Sequence, residues 1–341
     1  MLTSHRHGSG AAKAQAAMEY LMTYWWAILI LVIVIAALFY LGVLGGLQTS
    51  ETLAQPGACY VQRPEGAGTT EFISLGGFCN SAAPKYVATL SYSVGGYEQA
   101  FRDNATVQTL NNTFIDNLGG NEITISAWIW VSGWKTSGNT RQNVFLYSGG
   151  ACPTGGAEGA RLSVDNISEQ ELDFMVEFEP YHIGNCKNLY TPANSLQLDR
   201  WYFVVGVYNG TYMSDWINGT SYATYAVTNN IDNPNTYQSA ANAIWIGGAS
   251  ASSRPSSVEA GFNGYISNIQ VYDTGLSPSE IKELYDSGIG GDPVALQSLV
   301  AWWPLNGNAN DYSGNGNNAQ PVNGAGFSST WITTAPPPPP P

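Results

Sequence analysis

Positive charge is scarce in this chain: 12 Lys and Arg stand against 25 Asp and Glu, a formal net charge of −13 at pH 7, and only 11% of the 341 residues are charged. Nucleic-acid binding relies on clustered Lys and Arg that displace counterions from phosphates, and no such cluster occurs. Histidine is rarer still, with 3 in the chain. His5 and His7 lie at the extreme N-terminus, so His182 is the one histidine beyond it. Multi-histidine metal centres are thereby excluded, a Ser-His-Asp triad would hang on one residue with no nucleophile motif, and His182 reads as a surface or loop residue. The four cysteines, Cys59, Cys79, Cys152 and Cys186, include no Cys-x-x-Cys pair, which leaves zinc and dithiol redox chemistry without ligand spacing.

What the chain does have is one long apolar run and many short β-type stretches. From Gln15 to Leu47 no charge interrupts the sequence after Glu19, and Trp25 to Val43 is almost wholly apolar. That length suffices to span a bilayer as a helix. The run has no small-x-small cleavage site at its end, so it reads as a retained anchor rather than a removable secretory peptide. Arg6 and Lys13 precede it and the next cation is Arg63, which places the N-terminus in the cytoplasm and residues 51–341 outside. The expected localisation is a single-pass cell-membrane protein with an extracellular C-terminal domain.

All four cysteines fall beyond this run, in the compartment where disulfides persist. Of three pairings, the neighbour pairing Cys59 with Cys79 and Cys152 with Cys186 is expected; free buried thiols are the alternative. Five Asn-x-Ser/Thr sequons, at Asn104, Asn111, Asn166, Asn209 and Asn218, are candidate glycan positions on an exported chain.

After a polar linker at 48–57, two short extended runs between Cys59 and Cys79 read as a hairpin clipped by those cysteines, within a segment 58–84. Strand signals then recur. In Glu122 to Val131, Ile123, Ile125, Ala127, Ile129 and Val131 alternate with Thr124, Ser126, Trp128 and Trp130, a period of two. In Glu171 to Glu179, Leu172, Phe174, Val176 and Phe178 alternate mostly with acids, which predicts an exposed acidic face. Arg200 to Tyr208, Tyr212 to Ile217, Ala243 to Ile246 and Phe262 to Tyr272 follow, with Asn209-Gly210 and Asn218-Gly219 as hairpin turns. One short helix interrupts them: Ser277 caps it, Pro278 takes its first position, Glu280 completes a capping box, Ile281, Leu284 and Tyr285 form its buried stripe and Gly288 ends it.

Two resemblances follow from these residues. Lys13-Ala14-Gln15-Ala-Ala-Met-Glu19 resembles the class III signal peptides of archaeal type IV pilins, over roughly residues 11–45. The resemblance implies cleavage between Ala14 and Gln15, removing a leader at 1–14 and keeping a pilin-like helix at 15–47, and it implies that Glu19 meets a neighbouring subunit's N-terminal amine during assembly. Glu19 also fits a simple headgroup boundary. Further on, Asn121 to Trp128, Arg200 to Gly206, Trp216-Ile-Asn-Gly219, Ile246-Gly-Gly248, Phe262 to Asp273 and Leu276 to Ile281 resemble, in order, the laminin-G-like or concanavalin-A-like jelly-roll module across about residues 85–290. This implies two antiparallel sheets packed as a sandwich, so the expected fold is mainly β: an N-terminal transmembrane helix followed by a two-sheet jelly roll.

Ser298 to Ala319 looks like the opening strand and first loop of the same module, displaced to its end. Residues 291–335 are therefore expected to fold back and complete the sandwich, the alternative being β-addition to a neighbouring molecule. Six prolines, 336–341, make an extended tail of roughly 19 Å.

Binding residues are less sharply marked. Trp128 and Trp130 share a strand face and could stack a sugar, although core packing is the favoured explanation. The loop Asp311 to Asn318, with Asp273, holds oxygen ligands suited to Ca²⁺ and equally to ordinary turns; no cofactor is required. Glu171-x-Asp173-x-x-x-Glu177 invites comparison with glycosidases of this sandwich, but six residues of regular strand separate its ends by about 20 Å, too far for a retaining carboxylate pair near 5.5 Å. The expected function is therefore adhesion, or recognition of surface glycans or glycoproteins, by a membrane-anchored, pilin-like protein without enzymatic activity. A ligand-free pilus or envelope subunit, partnered by other pilin-like subunits, and a glycoside hydrolase are the alternatives.

Overall fold

Short β-type runs separated by Gly and Asn turns become strands along the outer part of the chain. In chain order the strands are β1 (Cys59–Gln62), β2 (Ser74–Gly77), β3 (Val87–Leu90), β4 (Thr106–Thr109), β5 (Ile123–Val131), β6 (Gln142–Ser148), β7 (Glu158–Ser168), β8 (Glu171–Phe178) and β9 (Lys187–Tyr190). They continue as β10 (Trp201–Tyr208), β11 (Tyr212–Ile217), β12 (Thr220–Ala226), β13 (Ala243–Ile246), β14 (Gly264–Tyr272), β15 (Leu299–Trp303), β16 (Ala319–Val322) and β17 (Gly326–Ser328), with helices α1 (Pro278–Asp286) and α2 (Trp331–Thr334). This computed structural model describes residues 29–34, 54–79, 83–90, 106–109, 122–133, 141–148, 158–168, 171–178, 187–226, 243–248, 261–322 and 324–334.

The chain divides into two units, Met1–Thr52 and Leu53–Pro341. In the first, residues 29–34 are helical and Ile30 to Val34 are each 48 to 58% exposed. Among the described residues no helix is long and apolar enough to cross a membrane. Most of the expected span from Gln15 to Leu47, including Ala14, Gln15 and Glu19, lies outside the described residues.

The second unit is built on two antiparallel sheets. One runs β12-β11-β10-β5-β14-β3-β17, with β15 beside β3 along the same side of β14; the other runs β16-β4-β13-β6-β7-β8-β9. The turn Asn218-Gly219 joins β11 to β12 with φ of 50° and 74°, the left-handed pair that a tight hairpin needs and that Asn and Gly tolerate. Between the sheets lies a core that takes Ile125, Ile129 and Ile266 from the first and Leu162, Phe174 and Ile244 from the second.

The eight-stranded sheet is covered on its other side as well. Trp128, Trp130, Trp201 and Phe203 point away from the first core and pack with Leu276, Ile281, Leu284 and Trp331. Every residue of β5 is consequently buried, although its sequence alternates with period two. The covering helix is α1, whose Ser277 cap, Pro at the first turn and reciprocal Glu280 capping box are all formed. Such a cap stabilises by about 1 kcal/mol.

The C-terminal segment belongs to both sheets: β15 pairs with β14, β17 with β3 and β16 with β4. Two ends of the unit are also tied together. β1 and β2 form an antiparallel hairpin joined by the Cys59–Cys79 disulfide, and Val61 N donates to Tyr312 O at 2.8 Å. Cys152 and Cys186 lie outside the described residues.

Candidate functional site

Side chains alternate across a strand, so register decides which residues share a face. On β7, Ala160, Leu162 and Val164 belong to the inner core, which sends Arg161, Ser163 and Asp165 to the opposite face of the seven-stranded sheet. The registers assemble that face into three rows. Trp245, Leu146, Arg161 and Glu177 are successive cross-strand partners over β13, β6, β7 and β8. Asn143, Ser163, Met175 and Tyr190 make the second row over β6, β7, β8 and β9, and Asp165 with Asp173 make the third.

This face is polar yet enclosed. Asn143, Arg161, Ser163, Asp173 and Met175 are all 0% exposed. The prediction of an exposed acidic face on β8 is thus wrong for Asp173: the alternation was real, but both faces of the strand are covered. Several of these groups also lack partners among the described residues. Asn143 Oδ1, Ser163 Oγ, Trp245 Nε1 and both carboxylate oxygens of Asp173 are buried without a hydrogen bond. Buried polar atoms are almost always satisfied, so these orphans stand out, as do Ser126 Oγ and Trp128 Nε1 on the other sheet.

Toward β9 the face opens. Arg141 lies 3.5 Å from Asp165 and donates to the Tyr190 hydroxyl at 3.4 Å, while Asn188 Nδ2 donates to the same hydroxyl at 3.3 Å. Tyr190 is 38% exposed and forms an aromatic rim. Burial, and secondarily the charge of Asp165, push the Asp173 carboxyl up to about 7 from 3.8, against the pull of Arg141. The face therefore offers a carboxyl that titrates near neutrality, an ion pair, an amide, a hydroxyl and a phenol.

The other predicted residues fall elsewhere. Trp128 is 1% and Trp130 7% exposed; Trp128 stacks on Tyr285 of α1 at 5.9 Å and Trp130 meets Trp201 edge-on at 6.0 Å. Of the two explanations offered for this pair, their packing beneath α1 fits the core one, since neither ring has a face open for a sugar. In the C-terminal loop, Asp311 Oδ1 accepts from the backbone N–H of Trp302 and Ser313, and Oδ2 from Ser313 Oγ and Asn317 N–H. A carboxylate directed at four protein donors fits a turn clamp. Along β8 the register with β7 runs without a shift from Leu172 to Phe178, so Glu171 and Glu177 sit at opposite ends of a regular strand.

Of the sequons, Asn104 and Asn111 lie outside the described residues and Asn166 falls within β7. Asn209 is exposed at the β10–β11 turn, its Oδ1 accepting from Thr211 and Tyr212 N–H. Asn218 is half-buried, with Oδ1 accepting from Phe203 N–H at 2.9 Å.

Solved structures similar to the chain include a candidate carbohydrate-binding protein of Bacteroides ovatus, at 16% identity and a TM-score of 0.48, covering 75% of this chain and 63% of that one. A heptameric SAP-like pentraxin of Limulus polyphemus matches at 16% identity and a TM-score of 0.41, covering 60% and 83%. The CBM40 module of the Ruminococcus gnavus IT-sialidase, solved with alpha2,3 sialyllactose, matches at 16% and 0.37, covering 48% and 83%. The chain thus spans 63% of the length of the first of these relatives. Comparison with curated proteins gives no match. The laminin G profile that describes the concanavalin A-like lectin/glucanases superfamily matches residues 102–282, more than half of the chain, and the protein therefore belongs to that superfamily.

Proposed function

We propose that this protein is a glycan-recognition protein of the cell surface, binding on the outer face of the seven-stranded sheet. The observation that carries the reading is the set of buried, unpartnered polar atoms on Asn143, Ser163, Asp173 and Trp245, spread over four neighbouring strands. A saccharide supplies hydroxyls that donate and accept in one small volume, which is what such a mixture of donors and acceptors needs. The half-exposed Tyr190 ring adds an apolar edge at the entrance. Glu171 and Glu177, at opposite ends of β8, are too far apart to act as a retaining pair.

The recognition domain is carried on a pilin-like helix cut after Ala14 and retained in the membrane. Supporting this are the uncharged run after Glu19 and the half-exposed apolar residues Ile30 to Val34. Display in an array depends on Glu19 meeting a neighbouring subunit, and glycans at Asn209 and the other sequons belong to the same exported state. Mass spectrometry of the mature N-terminus tests the processing: a chain beginning at Gln15 supports it, and one beginning at Met1 removes it. Glycan-array screening tests the recognition, with Tyr190→Ala expected to weaken binding and Trp128→Phe to leave it intact. An array with no signal would leave a purely structural subunit as the better reading.

A further inference from the structure

The third row of the outer face places two carboxylates side by side. Asp165 and Asp173 are cross-strand partners of β7 and β8, so their Cβ atoms lie about 5 Å apart on one face. The first is engaged: Arg141 sits 3.5 Å from Asp165 Oδ2. The second is not. Asp173 is fully buried, and neither of its oxygens has a hydrogen-bond partner among the described residues. Independently, the neighbouring row contributes Ser163 Oγ and Asn143 Oδ1, both on residues 0% exposed and both without partners.

A carboxylate held away from water requires a proton, a cation or a set of donors. Arg141 already bridges Asp165 and the Tyr190 hydroxyl. Resting on the glycan-recognition reading above, we propose that this face takes a saccharide bearing a free primary amine, an amino sugar, whose ammonium group seats between Asp165 and Asp173. An ammonium group carries three donors and no acceptor, which matches two adjacent carboxylates and the Asn143 carbonyl oxygen. Ring hydroxyls complete Ser163, and the apolar edge of the sugar meets Tyr190. At the third row an acidic sugar is opposed, because its carboxylate would approach Asp165 and Asp173 with Arg141 already engaged and the Arg161 guanidinium two rows away along β7.

Isothermal titration of the purified full-length chain near pH 7, where the Asp173 carboxyl is partly ionised, distinguishes the cases with three probes: a glucosamine tetramer, its fully N-acetylated counterpart and a galacturonate trimer. The expected result is that the free-amine tetramer binds about tenfold or more tighter than the acetylated one and that the galacturonate trimer does not bind. Asp173→Asn and, separately, Asp165→Asn should each erase the preference for the amine while circular dichroism shows the fold retained. Equal or tighter binding of the acetylated tetramer overturns the amino-sugar assignment and leaves glycan recognition standing. Survival of the preference in Asp173→Asn also overturns it, as does binding of none of the probes by chains that remain folded, while recognition itself stands or falls on the glycan array.

Discussion

Arg63 donates through its guanidinium to the backbone carbonyl of Leu299 at 2.8 Å, across 236 residues of sequence. The same side chain reaches Ser313 O at 2.9 Å and Leu296 O at 3.2 Å, and also donates to Thr69 O in its own hairpin. One fork of donors thereby holds the N-terminal hairpin against the C-terminal segment. Removal leaves several half-buried carbonyls unmet, so Arg63→Met should cost about 2–4 kcal/mol in urea unfolding. Arg63→Lys should recover little of this, because an ammonium cannot reproduce the planar fork. Full recovery by lysine would show that charge alone matters there.

The disulfide beside that hairpin has a charged neighbour. A carboxylate oxygen of Asp292 lies within 4.8 Å of the sulfurs of Cys59 and Cys79. An attacking thiolate meets this negative charge, and the thiolate released on cleavage is formed next to it. Asp292→Asn should therefore hasten reduction by dithiothreitol, roughly tenfold at low salt, with the difference shrinking as salt rises. Identical rates for the two chains would exclude the effect. Replacing both cysteines with serine should lower stability by about 3 kcal/mol.

Two raised carboxyls give the fold an unusual pH response. Burial lifts Asp173 to about 7 and Asp215 to about 6, each from 3.8. A folded state with the higher pKa binds the proton more tightly than the unfolded chain, so stability contributed by these groups is present below about pH 4 and is lost as pH rises toward 7. Asp173→Asn should accordingly stabilise the protein at pH 7.5, by no more than about 4 kcal/mol, and change little at pH 4. Urea unfolding at the two pH values measures this directly. A variant equally stabilised, or destabilised, at both would contradict it.

The Asp311 loop should be indifferent to calcium. Its carboxylate accepts four bonds from the protein, so melting temperature should be the same with added calcium and with chelator. Asp311→Ala should instead lower stability by about 1–3 kcal/mol in either buffer, through the backbone N–H groups left without an acceptor.

Much of the sandwich was legible because the strands carry their own signals. Period-two alternation marked β5, Asn-Gly marked the β11–β12 hairpin, and Ser277 with Glu280 marked α1 down to its capping box. Burial was less legible. Thr124 and Ser126 look like an outward face beside Trp128 and Trp130, for which core packing is the favoured reading, and the cover over the eight-stranded sheet, a contact between distant segments, buries all four. Asp173 failed for a related reason: acids alternating with apolar residues ordinarily face water, and nothing local reveals that the sheet is covered there. The candidate site was invisible for a third reason. Asn143, Ser163, Asp173 and Trp245 are far apart in sequence and meet only through strand register, so no spacing rule could have gathered them.

The bond between Arg63 and Leu299 also sets an order on the molecule's making. A ribosome finishes the hairpin early, yet the carbonyls that receive its guanidinium arrive 236 residues later, together with the strand that lies beside β3 along β14. The sheet edge at β14 stays open until then. A chain that stops short of Leu299 lacks the carbonyls that receive Arg63 and the strand that pairs with residues 269–272 of β14. The hairpin's anchorage is thus finished only by residues 296–313.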